Sequence, residues 1–330
     1  MKVAVVILNW NGKALLEQFL PSVVNFSPEA QIYVADNASE DNSVEFIRTA
    51  FPQVKLICNK VNGGFAKGYN DALKGLSEDI FVLVNSDVEV SPGWLPPILA
   101  EFDHSQDTAA VQPKILNFRK REYFEYAGAA GGYIDMLGYP FCRGRIFDTL
   151  EKDEGQYDDT CEIFWASGAC MAIRREVFYE AKGFDEDFFA HMEEIDLCWR
   201  IFNLGYKVKA VGGSSVYHLG GGTLDSMHPR KTFYNFRNSL FTLVKNVPGI
   251  KIYLLILLRM ILDGFAGLKF LLEIKPSHTA AILSAHFSFY SHLRVMLKKR
   301  KKIFKKNNYY RRKSVVLAYY LIGKRRFGEL

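Results

Sequence analysis

The sequence predicts an α/β protein, a mostly parallel sheet flanked by helices, and three observations carry that expectation. Residues 1–104 alternate short apolar runs with amphipathic helical patterns, which specifies right-handed βαβ units. Polar side chains collect wherever an apolar run stops, as they would along one shared sheet edge. One run, Ile80-Phe81-Val82-Leu83-Val84, is apolar without alternation, the pattern of a strand buried on both faces.

Taken in order, the expected strands are Val3–Leu8, Ile32–Ala35, Val54–Cys58 and Ile80–Val84. The helices between them are Lys13–Val24, Asp41–Phe51 and Ala66–Leu76, each with apolar residues at i, i+3 and i+4. The strand ends present Asn9 and Asn11, then Asp36 and Asn37, then Asn59 and Asn62, then Asn85 and Asp87. In open parallel sheets, ligands bind just outside the carboxyl ends of the strands. Asp87 follows the buried run, so its carboxylate is expected in that crevice, holding a divalent cation that in turn holds a diphosphate. Asn85-Ser86-Asp87 is equally the composition of a plain turn. Asp36 also has two readings, an acceptor for a nucleoside base or ribose and a cap on the following helix. In Asn62-Gly63-Gly64-Phe65-Ala66-Lys67-Gly68-Tyr69-Asn70, glycines ahead of a helix let backbone N–H groups approach a phosphate. Neither G-x-x-x-x-G-K-[ST] nor G-x-G-x-x-G occurs, which excludes a P-loop and a Rossmann fingerprint.

Further along, Ala109–Leu116, Ala166–Ile173 and Lys207–Val211 read as strands and His191–Leu204 as a helix. Arg119–Asp159 is rich in Gly, Tyr and charge without steady periodicity, and long irregular segments of this kind are often substrate-binding loops. Residues 185–196 carry six acids amid large aromatics. Glu193, Asp196 and Arg200 fall on one helix face, which sets Asp196 to pair with Arg200. Glu194 points about 100° away from Glu193, so one of the two faces a cleft as a general base. The bland alternative is an acidic first turn matched to the helix dipole. His218 ends Val216-Tyr217-His218 before a glycine run, a candidate nitrogen ligand for the same cation.

Composition sets bounds on all of this. The 330 residues are 49% hydrophobic and 24% charged, ordinary for a folded chain of one large domain or two smaller ones. Five cysteines, none in a C-x-x-C pair, argue against a disulfide framework and a zinc knuckle and suit a reducing cytosol. The opening MKVAVVILNWNG reads as a first strand rather than a signal peptide. The net charge of +6 is divided: residues 294–330 carry 14 Lys and Arg against the single acid Glu329, a net +13, and residues 1–293 carry −7. Such asymmetry predicts a basic tail that seeks a polyanionic surface.

Together these stretches resemble family 2 glycosyltransferases of GT-A (nucleotide-diphospho-sugar transferase) fold, in particular the bacterial rhamnosyltransferase-like branch. The likeness rests on VVILNWNG at 5–12, VADNASEDNS at 34–43, NGGFAKGYN at 62–70 and NSD at 85–87. It continues through SGACMAIRREVF at 167–178, FDEDFFAHMEEIDLCWR at 184–200 and HLGGGT at 218–223, spanning about residues 1–245. The resemblance implies an inverting, metal-dependent enzyme that takes a sugar from a nucleotide-diphosphate donor, dTDP-rhamnose being one candidate. It places Asn9, Asn11, Asp36, Asn62, Gly63, Gly64, Asn70, Asn85, Ser86 and Asp87 at the nucleotide sugar. Asp87 and His218 would hold Mg²⁺ or Mn²⁺, Glu194 or Glu193 would be the base, and Trp165 and Gly168 would meet the acceptor. Two departures stand out: Asn85 replaces the first acid of the D-x-D motif, and Glu194 replaces the Asp of the usual Glu-Asp pair.

Residues 246–330 are expected to form an amphipathic helical and basic extension to a 1–245 glycosyltransferase domain. No apolar run reaches the length that spans a bilayer, whereas apolar helices followed by KKRKKIFKK (298–306) and YYRRK (309–313) suit an anionic membrane surface. The apolar helices favour a membrane over nucleic acid as the partner of this tail. The expectation is therefore a cytoplasmic enzyme, peripheral on the inner face of a bacterial membrane, moving sugar to a lipid-linked or saccharide acceptor during surface polysaccharide synthesis. The rivals are a sugar nucleotidyltransferase and a non-catalytic carbohydrate- or nucleic-acid-binding protein on the same scaffold. Asn9-Trp10-Asn11-Gly12 is not the basic glycine-rich loop of the former, and the intact acids argue against the latter.

Overall fold

The computed structural model describes residues 1–220, 228–300 and 308–330. Strands β1 (Val3–Asn9), β2 (Gln31–Asp36), β3 (Lys55–Cys58) and β4 (Ile80–Asn85) alternate with helices α1 (Lys13–Phe26), α2 (Ser43–Ala50) and α3 (Gly64–Leu73). A short β5 (Val88–Val90) and α4 (Leu95–His104) lead to β6 (Thr108–Asn117). Then come β7 (Gly132–Ile134), β8 (Pro140–Cys142), β9 (Arg145–Ile146) and β10 (Thr149–Leu150), which form their own four-stranded antiparallel sheet. The chain returns through β11 (Thr160–Ile163), β12 (Cys170–Arg174), α5 (Arg175–Glu180), α6 (Glu193–Leu204) and β13 (Lys207–His218). It closes with α7 (Pro229–Asn246), α8 (Lys251–Leu272), α9 (Pro276–Lys299) and α10 (Val315–Tyr320).

The main sheet runs β11-β13-β6-β12-β4-β1-β2-β3, with β5 also pairing β13. β4, β1, β2 and β3 are mutually parallel, and β6 is parallel to β13, while β12 runs against both β4 and β6. The reason for the unbroken apolar run in β4 is visible in where its side chains go. Phe81 and Leu83 enter one core, with α3, α5 and α6, whereas Ile80, Val82 and Val84 enter a second core with α1 and α4. A strand that feeds two cores has no polar face to show.

Two strands differ from expectation at their ends. β12 starts at Cys170 rather than Ala166, because Ser167 leaves the ladder and its backbone N–H donates to the Gln112 side chain at 2.8 Å. β13 runs past Val211 to His218 because the register shifts between Val211 and Ser215, a bulge that lets the strand resume pairing. Gly212 sits in that bulge, where a Cβ would lie 2.2 Å from the Tyr157 carbonyl. The bulge therefore delivers His218 to the rim.

The stretch 246–330 is not separate from the rest in packing. Ile252, Leu255, Phe289, Met296, Tyr309 and Val315 belong to the same core as Trp199 and Phe241. The Tyr309 ring lies 4.6 Å from Trp199, and Phe327 stacks 5.4 Å from Tyr133. Several basic residues of the tail are engaged internally. Lys299 pairs with Asp185 and Asp187, Arg300 donates to the Val244 and Gly249 carbonyls, and Arg311 covers the rings of Tyr133 and Phe327. Lys301–Lys306 of the basic run lie outside the described residues. Among the described residues, no helix is long and apolar enough to cross a membrane.

Candidate active site

Parallel pairing of β2, β1 and β4 brings their carboxyl ends side by side: Asn9 is in register with Asp36, and Leu8 with Asn85. The Asn9 side chain donates to Asp36 Oδ1 at 3.0 Å, and the Ser39 N–H donates to Asp36 Oδ2 at 2.9 Å. Asp36 thus fixes its own turn, and α2 takes no side-chain cap from it. Asn9 Oδ1 is buried without a partner, and a Cβ on Gly12 would lie 2.5 Å from it and 3.8 Å from Ser86 Oγ. Asn9, Gly12 and Ser86 therefore share one spot on the rim. Asn11, held at φ 49°, accepts from the Glu40 N–H at 2.7 Å.

The glycine stretch works differently from its expected role. The Gly64 N–H donates to Asn62 Oδ1 at 2.9 Å, and the Phe65 N–H donates to the Phe189 carbonyl at 3.0 Å. A Cβ on Gly64, at φ 76°, would come within 2.6 Å of that same carbonyl. These N–H groups are engaged within the protein, and Gly64 serves the close approach of loop 185–192. A Cβ on Gly63 would meet the Lys67 side chain. Asn70 is likewise structural, donating to the Phe184 carbonyl at 2.9 Å and accepting from the Phe184 N–H at 2.9 Å.

Asp87 occupies the turn between β4 and β5, buried, with His218 Nε2 at 3.1 Å from its Oδ1. On the other side of the ring, Glu125 Oε2 lies 3.1 Å from His218 Nδ1. Burial alone would push the His218 imidazole down, but the two carboxylates outweigh it and hold it up at about 10. Glu125 comes from the irregular segment before β7, and no sequence motif marks it. Among the described residues, no group of three or more acids, histidines or cysteines is arranged to hold a metal. The donor set nonetheless fits a hard divalent cation: Asp87 supplies oxygen, His218 nitrogen, and Glu125 backs the imidazole as outer carboxylates do for metal-bound histidines. Mg²⁺ in particular takes one or two protein ligands and completes its shell with water and phosphate oxygens.

Loop 185–192 carries the acids to the site, and its backbone is strained. Phe189, His191 and Met192 have φ of 64°, 69° and 71°, which bulky residues adopt rarely. Helix α7 holds it there: the Asn238 amide donates to the carbonyls of Phe188, Ala190 and His191 at 2.7–3.0 Å, and Arg237 donates to those of Asp187 and Phe188. Four of the six acids are tied up. Asp185 pairs with Lys245 and Lys299, Asp187 with Lys299, and Asn70 donates to Glu186 at 3.2 Å. Asp196, fully buried, meets Arg200 at 2.8 Å, Lys245 at 2.7 Å and Asn246 at 2.8 Å.

Glu193 and Glu194 remain, each with a buried Oε2 that has no partner. Burial raises Glu193 well above the usual carboxylate range, and the neighbouring Glu194 charge raises it further. Burial likewise lifts Glu194 to about 7, against the pull of first-turn backbone N–H groups. Burial thus favours the protonated form of both carboxyls. Nearby, burial pushes His191 down to about 4, with Lys231 adding to the effect.

Burial raises the Cys142 thiol, with the charges of Glu125 and Glu194 adding to it and Arg145 opposing. Trp165 is closed off by packing, whereas Gly168 keeps partial exposure. The Trp165 indole is 3% exposed and donates to the Tyr133 carbonyl at 3.0 Å, and a Cβ on Gly168 would touch Phe65 at 3.0 Å. Beyond Gly220, the HLGGGT stretch lies outside the described residues.

With this geometry in place, comparison with known proteins is informative. Residues 4–181 match the sequence profile described as Glycosyl transferase family 2. An N-acetylglucosaminyl-diphospho-decaprenol L-rhamnosyltransferase of Mycobacterium tuberculosis is 27% identical over 233 residues, 65% of this chain and 75% of that protein. Among solved structures, Staphylococcus aureus TarS 1–349 in complex with UDP-GlcNAc superimposes with a TM-score of 0.56 at 14% identity, covering 90% of this chain and 91% of that one. The mannosyltransferase PcManGT of Pyrobaculum calidifontis, in complex with GDP-Man and Mn²⁺, gives 0.54 at 15% identity, covering 89% and 79%. At such identities the structural matches establish the fold.

Proposed function

The chain belongs to glycosyl transferase family 2, and from that premise we propose that it moves a sugar from a nucleotide-diphosphate donor to a hydroxyl of a lipid-linked saccharide, with inversion. The observation that carries the reading is the buried pair Glu193–Glu194, each with a partnerless Oε2, together with the buried Asp87–His218–Glu125 group at the sheet rim. The transferred centre loses its bond to the diphosphate oxygen, which leaves with the electron pair, and gains a bond to the acceptor oxygen. The acceptor proton goes to Glu194 Oε2. A carboxylate that titrates near 7 is suited to this, being ionised at working pH yet basic enough to take the proton. Burial and the neighbouring Glu194 charge favour the protonated form of Glu193, which keeps the pair from carrying two charges. A single base on one face of the sugar supports one displacement and hence inversion. Mg²⁺ or Mn²⁺, held by Asp87 and His218 when bound, would supply positive charge to the leaving diphosphate. Asn9 Oδ1 and Ser86 Oγ are the rim groups available to the donor.

The M. tuberculosis relative, named for a rhamnose donor and a diphospho-lipid acceptor, supports an activated deoxyhexose and a lipid-linked acceptor here as well. A membrane-proximal setting is supported by the outer face of the α8–α9 hairpin. Leu254, Leu257, Ile261, Phe265 and Leu268 recur every three or four residues along α8 and are half-exposed or more, and Phe287 and Tyr290 of α9 are exposed as well. An apolar patch of that length on a soluble surface marks an interaction site, and its neighbours in sequence are basic. The test is a panel of nucleotide sugars with Mn²⁺, read as release of nucleoside diphosphate and as sugar transfer to a prenyl-diphosphate-linked acceptor. One donor is expected to turn over at least tenfold faster than the rest. Turnover of none, with folded protein and either cation, refutes the reading.

A further inference from the structure

Arg143 and Arg145 stand two residues apart beside the small sheet and are placed very differently. Arg143 pairs with Asp159 and lies over the Tyr157 ring at 4.7 Å. Arg145 is 5% exposed, its Nε has no partner, and among the described residues no carboxylate lies within ion-pair distance of it. Its contacts are the Cys142 sulfur, 3.4 Å from Nη2, and the Tyr126 ring, whose centroid is 4.4 Å from Cζ. A guanidinium buried without an anion is costly, because desolvation is not repaid by a partner. The charge of Glu125 reaches Arg145, but the Glu125 carboxylate is already engaged by His218 and by the Ala127 N–H.

The position of Arg145 points to what it is for. Its partner ring, Tyr126, follows Glu125 in the chain, and Glu125 lies 3.1 Å from His218 Nδ1, so Arg145 packs on the segment that carries the His218 group. The Tyr126 ring against it is 47% exposed, and the Lys231 ammonium approaches the same ring at 5.8 Å. Stacking on a ring fixes the plane of a guanidinium, and a planar guanidinium is matched to two phosphate oxygens. Building on the sugar-transfer reading above, we propose that Arg145 is an anion-binding residue that takes phosphate oxygens of a diphosphate, with Tyr126 holding its plane. The diphosphate belongs either to the donor nucleotide or to the lipid acceptor, which present the same chemistry.

Calorimetry on the full chain separates these. In one arm UDP, dTDP and GDP are titrated with Mn²⁺; in the other, geranyl diphosphate is titrated without nucleotide. Arg145→Gln is expected to weaken one arm at least tenfold, and Arg145→Lys, which keeps the charge and loses the fork, to fall between. Loss in the nucleotide arm assigns Arg145 to the donor; loss in the prenyl arm assigns it to the acceptor. A folded Arg145→Gln variant with both affinities within twofold of wild type overturns the proposal. If that variant does not fold, Tyr126→Leu replaces it; threefold or greater loss in one arm is expected, and unchanged affinity in both overturns the proposal. Wild-type protein that binds geranyl diphosphate through Arg145 yet binds no nucleotide leaves the subsite standing and removes the donor reading. Wild-type protein that binds neither overturns both.

Discussion

Replacing Glu194 by Gln should stabilise the fold while sharply lowering turnover, and the pH at which it stabilises is set by the structure. An ordinary glutamate ionises near 4.5, and burial lifts this one to about 7. Between those values the folded protein binds a proton that the unfolded chain has released. Stability therefore falls as pH rises through that window, and the loss is complete above about 7. The interval corresponds to roughly 3 kcal/mol, since each pH unit is worth about 1.4 kcal/mol. Gln has no proton to lose, so Glu194→Gln escapes the penalty. Urea denaturation at pH 5 and pH 8 is the assay: the variant should gain up to about 3 kcal/mol on wild type at pH 8 and little at pH 5. Turnover should meanwhile fall roughly 10²–10⁴-fold, the usual contribution of a general base, and wild-type turnover should rise with pH to a plateau above about 7. A stability difference that is the same at both pH values would refute the argument, because no raised ionisation would then exist to remove.

Three further outcomes are expected. Asp87→Asn should eliminate Mn²⁺-dependent binding of a nucleoside diphosphate with an unchanged circular dichroism spectrum; calorimetry with intact metal dependence would count against Asp87 as a ligand. Asn238→Ala deletes two amide N–H donors shared among three loop carbonyls, at roughly 1 kcal/mol per N–H. It should lower kcat far more than nucleotide affinity, and a variant with wild-type kcat would show that the strained loop holds itself. Leu257→Glu with Phe265→Glu, both on exposed positions of α8, should leave the melting temperature unchanged and release the protein from anionic liposomes in sedimentation. Undiminished sedimentation would move the membrane contact elsewhere.

The parts of this protein legible in its sequence are those governed by short-range periodicity. β1, β2 and β4 are found nearly to the residue because each is a buried run between turn-forming residues, and the partly exposed edge strand β3 is found by its place in the alternation. The Asp196–Arg200 pair follows from helical spacing alone. Asp87 and His218, 131 residues apart, are brought together by a strand end and a bulge, and pattern reading reaches them because both lie at the ends of apolar runs. Glu125, Arg145 and Asn238 have no such signal. They lie in an aperiodic segment, a two-residue strand and a helix interior, and what makes them notable is burial without a partner or hydrogen bonding across roughly 50 residues of chain. Gly64 shows an ambiguity that residue type alone leaves open. A phosphate cradle and a close backbone crossing ask for the same residue type, and the Phe189 carbonyl against Gly64 shows which demand is met here.

The C-terminal region packs on the core of the rest of the chain. Lys245 pairs with Asp185 and Asp196 and Lys299, from the basic tail, with Asp185 and Asp187, so one of the tail's charges balances the acidic loop. With those acids paired, Glu193 and Glu194 are the ones left free to titrate. Tyr309, packed on Trp199 of α6, ties the last segment to the helix that begins with that pair. Tyr309→Ala should therefore cost roughly 3 kcal/mol of stability, as expected for a buried aromatic. Deleting residues 308–330 should lower the melting temperature rather than merely weaken membrane binding. A truncated protein that melts like the intact one would mean that α6 is held from the α7 side alone.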